Sequence, residues 1–252
     1  MSVEVLQSLL KSLRLPIAAN ELPCVLEESR KAINVSWAVD LLQREVDHRR
    51  EGNLNRRIKR GNFQLMKALE QFDWDFNPKI RRDSIENLAA MNFIDDKEII
   101  LFLGLPGTGK THLAEALGLK AIMNGYNVYC SSLKKLAEDI DRALMKNDLP
   151  NLFKKILSND LLILDDWGTV SLPRKITEEI FDLLDRRRLS TAMILTSNRD
   201  VKEWPSVFAD PVLASAAIDR IFDRATIEIF EGKSYRLHGN KEKRYDKKEE
   251  RS

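Results

Sequence analysis

The sequence predicts an α/β domain built on a five-stranded parallel sheet, preceded by a small all-helical domain. Three observations predict this fold class. The first 72 residues place apolar side chains at helical spacing and show almost no strand signal. From residue 98 onward, short apolar runs alternate with helical segments, which is typical of a parallel sheet covered by helices. A glycine-rich segment follows the first apolar run directly, as in domains that bind phosphate groups.

Each predicted strand is a short apolar run with the composition of a buried strand. The five runs are Ile99–Leu103, Asn127–Cys130, Leu161–Leu164, Met193–Thr196 and Thr226–Phe230. Helical segments separate these runs, so we expect the strands to lie parallel, with helices on both faces of the sheet.

Changes of composition divide the chain into four segments. Aromatic and acidic residues alternate at Phe72–Phe76, just before Pro78, which favours an extended connector over a helix. We therefore predict a helical N-terminal domain over 1–72, for binding DNA or a partner, and a connector with a short helix over 73–97. The α/β domain is predicted to occupy 98–237, and the charged residues 238–252 to form a mobile tail.

The overall composition favours a cytoplasmic protein. The formal net charge of +2 is too small to indicate a partner by itself. Cys24 and Cys130 lack the C-x-x-C spacing of metal and redox sites, which fits a reducing compartment. No apolar run in the sequence approaches the length that a membrane-spanning helix needs.

Positive charge is concentrated in one helical stretch of the N-terminal part. Between Arg44 and Lys67 there are eight Lys or Arg residues and three acidic residues. Such a stretch is either a solvated helix face or a face that contacts phosphates, and the sequence leaves both interpretations open. The candidate DNA contacts are Arg49, Arg50, Arg56, Arg57, Lys59 and Arg60.

Residues 104–111 read Gly-Leu-Pro-Gly-Thr-Gly-Lys-Thr and satisfy the phosphate-binding motif G-x-x-x-x-G-K-[ST]. The glycines allow backbone N–H groups to surround a phosphate, Lys110 can reach the β- and γ-phosphates, and Thr111 can ligate Mg²⁺. A glycine turn without a ligand is the alternative, but the strand before the motif and the helix after it favour binding of ATP and Mg²⁺. The candidate nucleotide contacts are Gly104, Pro106, Gly107, Thr108, Gly109, Lys110, Thr111 and His112.

Polar residues follow two further predicted strands, at the edge where parallel strands present their carboxyl ends. Asp165 and Asp166 end the third strand, where Asp165 can hold Mg²⁺ and Asp166 can orient the attacking water. Asn198 follows the fourth strand and is placed to bind the γ-phosphate or the water. Without the phosphate-binding motif, the two aspartates would indicate a surface turn and Asn198 a turn former.

Together these motifs resemble those of the IstB-type transposition helper ATPases, which are AAA+ proteins close to the DnaC-like helicase loaders. The similarity covers nearly the whole chain, apart from its extreme tail. It is carried by residues 104–112, Ile194–Asn198, Glu203-Trp204, Asp210–Ala214, Ile218–Ile221 and Gly232–Arg236.

The resemblance implies an AAA+ ATPase that forms a homo-oligomer on duplex DNA and cooperates with a partner transposase to direct insertion of a mobile element. It implies that Arg220 is an arginine finger reaching the neighbouring subunit's nucleotide, although Arg220 could instead pair with Asp219 or Asp223. It also implies that the helical lid domain of many AAA+ proteins, with its arginine, is absent. The family generally has Asp-Glu after the third strand, so the shorter Asp166 carboxylate predicts slow hydrolysis.

Three other functions share parts of this pattern. A helicase loader acting on single-stranded DNA would have the same ATPase core. A preference for duplex DNA would indicate the transposition helper, and a preference for single strands would indicate the loader. A small-molecule kinase would use the same phosphate-binding motif, but the sequence shows no acceptor site or lid and gives Arg220 no role. A scaffold that binds ATP without hydrolysing it is compatible with Asp166.

Overall fold

The computed structural model describes residues 3–28, 34–187, 191–208, 210–222 and 225–236. Their contacts divide the chain into two compact units, which we call the N-terminal unit (Met1–Arg56) and the α/β unit (Arg57–Ser252). Within the described residues, no helix is long and apolar enough to cross a membrane.

One or two α-helices separate each strand of the α/β unit from the next. The helices are α1 (Val3–Ser12), α2 (Pro16–Glu28), α3 (Ser36–Gly61), α4 (Arg82–Leu88), α5 (Asn92–Asp95), α6 (Lys110–Met123), α7 (Leu133–Met145), α8 (Leu149–Leu157), α9 (Arg174–Arg187), α10 (Trp204–Val207) and α11 (Pro211–Phe222). The strands are β1 (Ile99–Gly104), β2 (Val128–Ser132), β3 (Leu161–Asp165), β4 (Ala192–Ser197) and β5 (Ala225–Phe230). Short 3₁₀ turns occur at Leu69–Gln71 and Val201–Glu203.

The N-terminal unit consists of α1, α2 and most of α3, as the helical periodicity predicted. Its small core contains Leu6, Leu9, Leu10 and Leu13 from the first helix and turn, packed with Val39. The spacing of these leucines puts them on one face of a helix, and burial of that face stabilises the unit.

The α/β unit is built on one parallel sheet with strand order β2-β3-β4-β1-β5. All five predicted strands are confirmed within two residues at each end. Strand β3 is buried along its whole length, which explains why its sequence is an uninterrupted apolar run rather than an alternating one. The carboxyl ends of β3, β4 and β1 lie side by side, because these strands are neighbours in register.

The α/β unit starts earlier in the chain than residue 72, where the change of composition suggested a boundary. The segment after α3 hydrogen-bonds to the α/β unit, so its contacts assign it there. Glu115 of α6 is buried and accepts from the backbone N–H groups of Gln64 and Leu65, at 2.8 and 2.7 Å. The Asn62 amide donates to the carbonyl of Cys130 at 2.8 Å. The assignment of 1–72 as a functional domain stays a prediction.

Candidate nucleotide-binding site

Residues 104–111, which run from the end of β1 through a tight loop into the first turn of α6, have the backbone of a phosphate-binding loop. Gly109 precedes the helix with a φ of +107°, a conformation that is strained for residues with a side chain. The loop therefore turns sharply and leads into the amino end of α6, where unpaired N–H groups and the helix dipole favour an anion.

The Lys110 ammonium lies inside this loop. The residue is buried, and Nζ donates to the carbonyls of Gly104 and Leu105 at 2.8 and 2.7 Å. Burial lowers the pKa of Lys110 to about 8, although the nearby carboxylates of Asp165 and Asp166 favour its charged form. The ammonium can exchange these two neutral carbonyl oxygens for negatively charged phosphate oxygens, which form stronger hydrogen bonds with a cation.

The next helical residue, Thr111, lies against the end of β3. Its Oγ1 donates to Asp165 Oδ1 at 2.8 Å, and the same carboxylate oxygen accepts from Oγ1 of Thr196 on β4. Hydroxyl and carboxylate oxygens are the ligands that Mg²⁺ prefers, usually with ligand phosphates and waters completing the shell. Among the described residues there is no cluster of three or more His, Cys, Asp or Glu, so a metal here would need such additional ligands. Thr111 and Asp165 fit this type of site.

Asp166 is held in an uncommon backbone conformation, with a φ of +57°. Its N–H donates to Thr196 Oγ1 at 3.1 Å, and its carboxylate accepts from the Asn198 amide, with 3.0 Å between Oδ1 and Nδ2. Burial and the adjacent Asp165 raise the pKa of Asp166, while Lys110 and then Arg236 favour its ionised form. Thr196 thus positions both aspartates through one hydroxyl group.

These groups open into one cavity of about 290 Å³. The phosphate-binding loop and the strand ends form one side, and residues from the connector and from the last described segment form the other. The lining residues are Leu65, Lys67, Gln71, Phe72, Asp73, Phe76, Asn77, Pro106, Gly107, Thr108, Gly109, Lys110, Thr111, His112, Asp166, Asn198, Tyr235 and Arg236. The cavity combines an anion-binding end with aromatic walls, as a nucleotide requires.

The last described segment, Gly232–Arg236, crosses the phosphate-binding loop, and we call it the C-terminal strap. The Tyr235 N–H donates to the carbonyl of Gly107 at 3.0 Å. The buried Asn77 amide forms two hydrogen bonds with the backbone of Lys233, one to its carbonyl at 3.1 Å and one from its N–H at 2.9 Å. Asn77 therefore joins the connector to the strap.

Three residues of this site went without a role in the sequence analysis: Thr196, Asn77 and Arg236. Arg236 lines the cavity, where its charge adds to the lowering of the pKa of Lys110 and partly offsets the rise in the pKa of Asp166. Although no lid domain was expected, the chain thus supplies an arginine to the cavity from the strap. The sequence signal for Arg236 was the segment Gly232–Arg236, which was noted only because it resembles the family motif.

The structure brings most of the predicted nucleotide contacts together. Pro106 to His112, Asp166 and Asn198 line the cavity, while Gly104 and Asp165 reach it through hydrogen bonds to Lys110 and Thr111. Arg220 belongs to α11, but its side chain lies outside the described residues.

The basic residues predicted to contact DNA lie in both units. Arg49, Arg50 and Arg56 belong to the N-terminal unit, and Arg57, Lys59 and Arg60 belong to the α/β unit.

Comparison with known families identifies the chain. The model of the IstB-like ATP binding protein family matches residues 8–243. The chain belongs to this family. It is 35% identical over 241 residues to the ATP-binding protein of insertion sequence IS21 from Pseudomonas aeruginosa, covering 95% of this chain and 90% of that one. It is 34% identical over 210 residues to the ATP-binding protein of insertion sequence IS232 from Bacillus thuringiensis subsp. berliner, covering 82% and 84%.

Solved structures share the AAA+ fold with this IstB-like chain. AMPPCP-bound DnaA from Aquifex aeolicus aligns with a TM-score of 0.58 at 24% identity, over 73% of this chain. The aligned part spans 56% of that DnaA chain. The structure of DnaI aligns with a TM-score of 0.54 at 22% identity, over 68% of this chain and 90% of that one. At these identities the likeness establishes the fold alone.

Proposed function

We propose that this protein is an ATP-dependent AAA+ regulator that assembles on duplex DNA and recruits or stimulates a partner transposase. The observation that carries the proposal is the convergence of Lys110, the Thr111–Asp165 pair and the Asp166–Asn198 pair on one cavity. Membership of a family of ATP-binding proteins, with relatives from insertion sequences, supports the link to transposition.

Each residue has a distinct part in binding and hydrolysing ATP. Lys110 pairs with phosphate oxygens in place of its two backbone carbonyls, and Thr111 and Asp165 hold Mg²⁺. When bound, Mg²⁺ neutralises charge on the phosphates and fixes their orientation. Asp166 accepts a hydrogen bond from the attacking water and orients it, and Asn198 keeps the carboxylate in place.

The shorter side chain of Asp166 should make hydrolysis slow. Glutamate would extend the carboxylate by one C–C bond, about 1.5 Å. A displacement of about 1 Å can lower a rate on the order of 10²-fold. Slow hydrolysis would keep the ATP-bound assembly on DNA for longer, so Asp166 suits a regulator that acts through its bound state.

Arg220 is proposed to complete the site of a neighbouring subunit. An arginine supplied in trans stabilises the charge of the transferred phosphoryl group and couples hydrolysis to assembly. Within its own subunit, Arg236 of the strap contributes positive charge to the same cavity. In this arrangement ATP lies at the interface between two subunits. Arg236 comes from the subunit that binds the nucleotide, and Arg220 comes from its neighbour.

DNA binding is proposed to use the basic residues of α3 and of the segment that follows it. Contacts between Lys or Arg and phosphates give affinity without sequence preference, which suits a protein that acts at many target sites. The alternative of a helicase loader is suggested by the fold shared with DnaI and DnaC. It predicts a preference for single strands.

The proposal is tested by imaging the protein with DNA and a slowly hydrolysed ATP analogue. Ordered assemblies on a duplex, absent without nucleotide and sparse on a single strand of equal length, are the expected result. Assemblies on single strands alone would favour a helicase loader. If neither DNA produces assemblies or stimulates ATP hydrolysis, the regulator proposal fails, and a kinase is then tested with small-molecule acceptors.

A further inference from the structure

The basic residues of α3 differ in what they contact. In the N-terminal unit, Arg49 lies 2.6 Å from the carboxylate of Glu45, and Arg56 donates to Asn53 at 2.6 Å. In the α/β unit, Arg57 and Arg60 form no ion pair or side-chain hydrogen bond with any residue that the structure describes. Their charges are therefore available to a ligand, whereas the Arg49 guanidinium already has a carboxylate partner on the same helix.

Arg57 and Arg60 line a second cavity, of about 290 Å³, at the edge strand β2. A third cation, Lys155 of α8, faces the same space and lies 5.7 Å from the centre of the Tyr129 ring. The ring holds the lysine by a cation–π interaction and orients it without neutralising it. The cavity is lined by Arg57, Arg60, Asn127, Val128, Tyr129, Lys155, Ser158 and Asn159.

Positive charge dominates this second cavity. Neither the two arginines nor Lys155 has a carboxylate within ion-pair distance in the described part of the chain. The nearest acid in sequence, Asp160, accepts from the backbone and side-chain amides of Asn127, at 2.8 and 3.3 Å. The carboxyl end of α8 adds about half a negative charge. Asp139 and Asp148 share a neighbouring cavity with Lys155, where Asp139 is ion-paired to Arg142 and Asp148 accepts from Asn151. Among the described residues no acid lines the second cavity itself, so an anion would relieve the mutual repulsion of its three cations.

We propose that this cavity binds phosphate groups of the nucleic-acid backbone, and we call it the phosphate site (Arg57, Arg60 and Lys155). It shares no lining residue with the nucleotide cavity. Two arginines can bind phosphate oxygens in a bidentate manner, and the lysine adds a point charge from a different element. The inference rests on the proposed DNA binding and assigns it to a cluster formed by α3 and α8, rather than to α3 alone.

The test compares two variants that each lose two arginines and one lysine. The site variant is Arg57→Gln, Arg60→Gln and Lys155→Gln. The matched control is Arg174→Gln, Arg186→Gln and Lys79→Gln, in which every replaced cation is ion-paired to a carboxylate. Affinity for a fluorescent duplex is measured by anisotropy from 50 to 200 mM salt, with ATP affinity and circular dichroism as checks of folding.

The site variant should lose at least about tenfold in affinity, and its slope of log affinity against log salt should fall by about 2 to 3, since each phosphate contact contributes about 0.9. The control should change the slope by less than about 1. Equal losses in both variants, or an unchanged slope in the site variant, would overturn the phosphate site but leave DNA binding intact.

Two further outcomes would also overturn the phosphate site. Absence of DNA binding by the wild-type protein would overturn the site and the proposed function together. Inorganic phosphate at 1 mM distinguishes the source of the anion. Loss of phosphate binding in the site variant, with duplex affinity and its salt slope unchanged from the wild type, would indicate a site for a small free anion only. Loss of duplex affinity in the site variant, together with weaker duplex binding by the wild type when phosphate is added at constant ionic strength, supports the backbone assignment.

Discussion

The amide of Asn198 donates a hydrogen bond to the carboxylate of Asp166, with 3.0 Å between Nδ2 and Oδ1. The two residues follow β4 and β3, which are adjacent in the sheet, so the fold itself brings them together. Asp166 has a φ of +57°, a conformation that costs free energy and is typical of functional sites. The carboxylate is thus fixed in one position at the edge of the nucleotide cavity.

This fixed, short carboxylate is expected to limit the rate of ATP hydrolysis. Asp166→Glu should raise the rate by up to about 10²-fold, because the longer side chain brings the carboxylate closer to the water. Asp166→Asn should abolish hydrolysis while leaving ATP affinity within a few-fold of wild type. Phosphate release at saturating ATP with DNA present measures both. A slower Asp166→Glu enzyme would show that the aspartate already lies at the productive distance.

The bridge between Asn77 and Lys233 is expected to contribute to ATP affinity by holding the strap. Asn77→Ala removes two hydrogen bonds, each worth about 0.5–1.5 kcal/mol, and frees Tyr235 and Arg236 from the cavity. ATP affinity measured by calorimetry should fall by about tenfold. The control is Asn151→Ala, which removes an exposed asparagine bonded to Asp148. An unchanged ATP affinity in Asn77→Ala would mean that the strap makes no contribution to binding.

Nucleotide affinity should depend on pH in the alkaline range. Burial lowers the pKa of Lys110 to about 8, so the side chain is mainly charged below this value and loses its proton above it. Phosphate groups favour the charged form, and binding above pH 8 must therefore take up a proton. ATP affinity should fall above about pH 8, by up to tenfold per pH unit. Adenosine, which lacks phosphates, is the control ligand, and equal pH profiles for both would contradict this role.

Arg220, if supplied in trans, should allow two inactive variants to complement each other. Arg220→Ala retains the nucleotide site and should lose on the order of 10³- to 10⁵-fold in turnover. The measured loss will be smaller if wild-type hydrolysis is already slow because of Asp166. Lys110→Ala retains the arginine but not the site. A mixture contains interfaces where an intact Arg220 meets an intact site, so hydrolysis should partly return. If hydrolysis does not return at any mixing ratio, Arg220 acts on the nucleotide of its own subunit.

The sequence predicted those parts of the molecule that depend on residues close together in the chain. The five strands are apolar runs with helices between them, and residues 104–111 form a continuous motif, so their placement follows from local pattern. The Asn77–Lys233 bridge and the cluster of Arg57 with Lys155 join residues far apart in the chain. No periodicity signals such contacts, because they arise only when the sheet is assembled. The same limit applies to Thr196, which reads as one more buried strand residue.

The central claim, that the cavity around Lys110 binds ATP, is tested most directly by calorimetric titration of ATP into the Lys110→Ala protein. The control is Lys120→Ala, which removes a lysine from the last turn of the same helix. We expect Lys120→Ala to bind ATP like the wild type and Lys110→Ala to show no measurable binding, with circular dichroism unchanged in both. Wild-type ATP affinity in a folded Lys110→Ala protein would contradict the account.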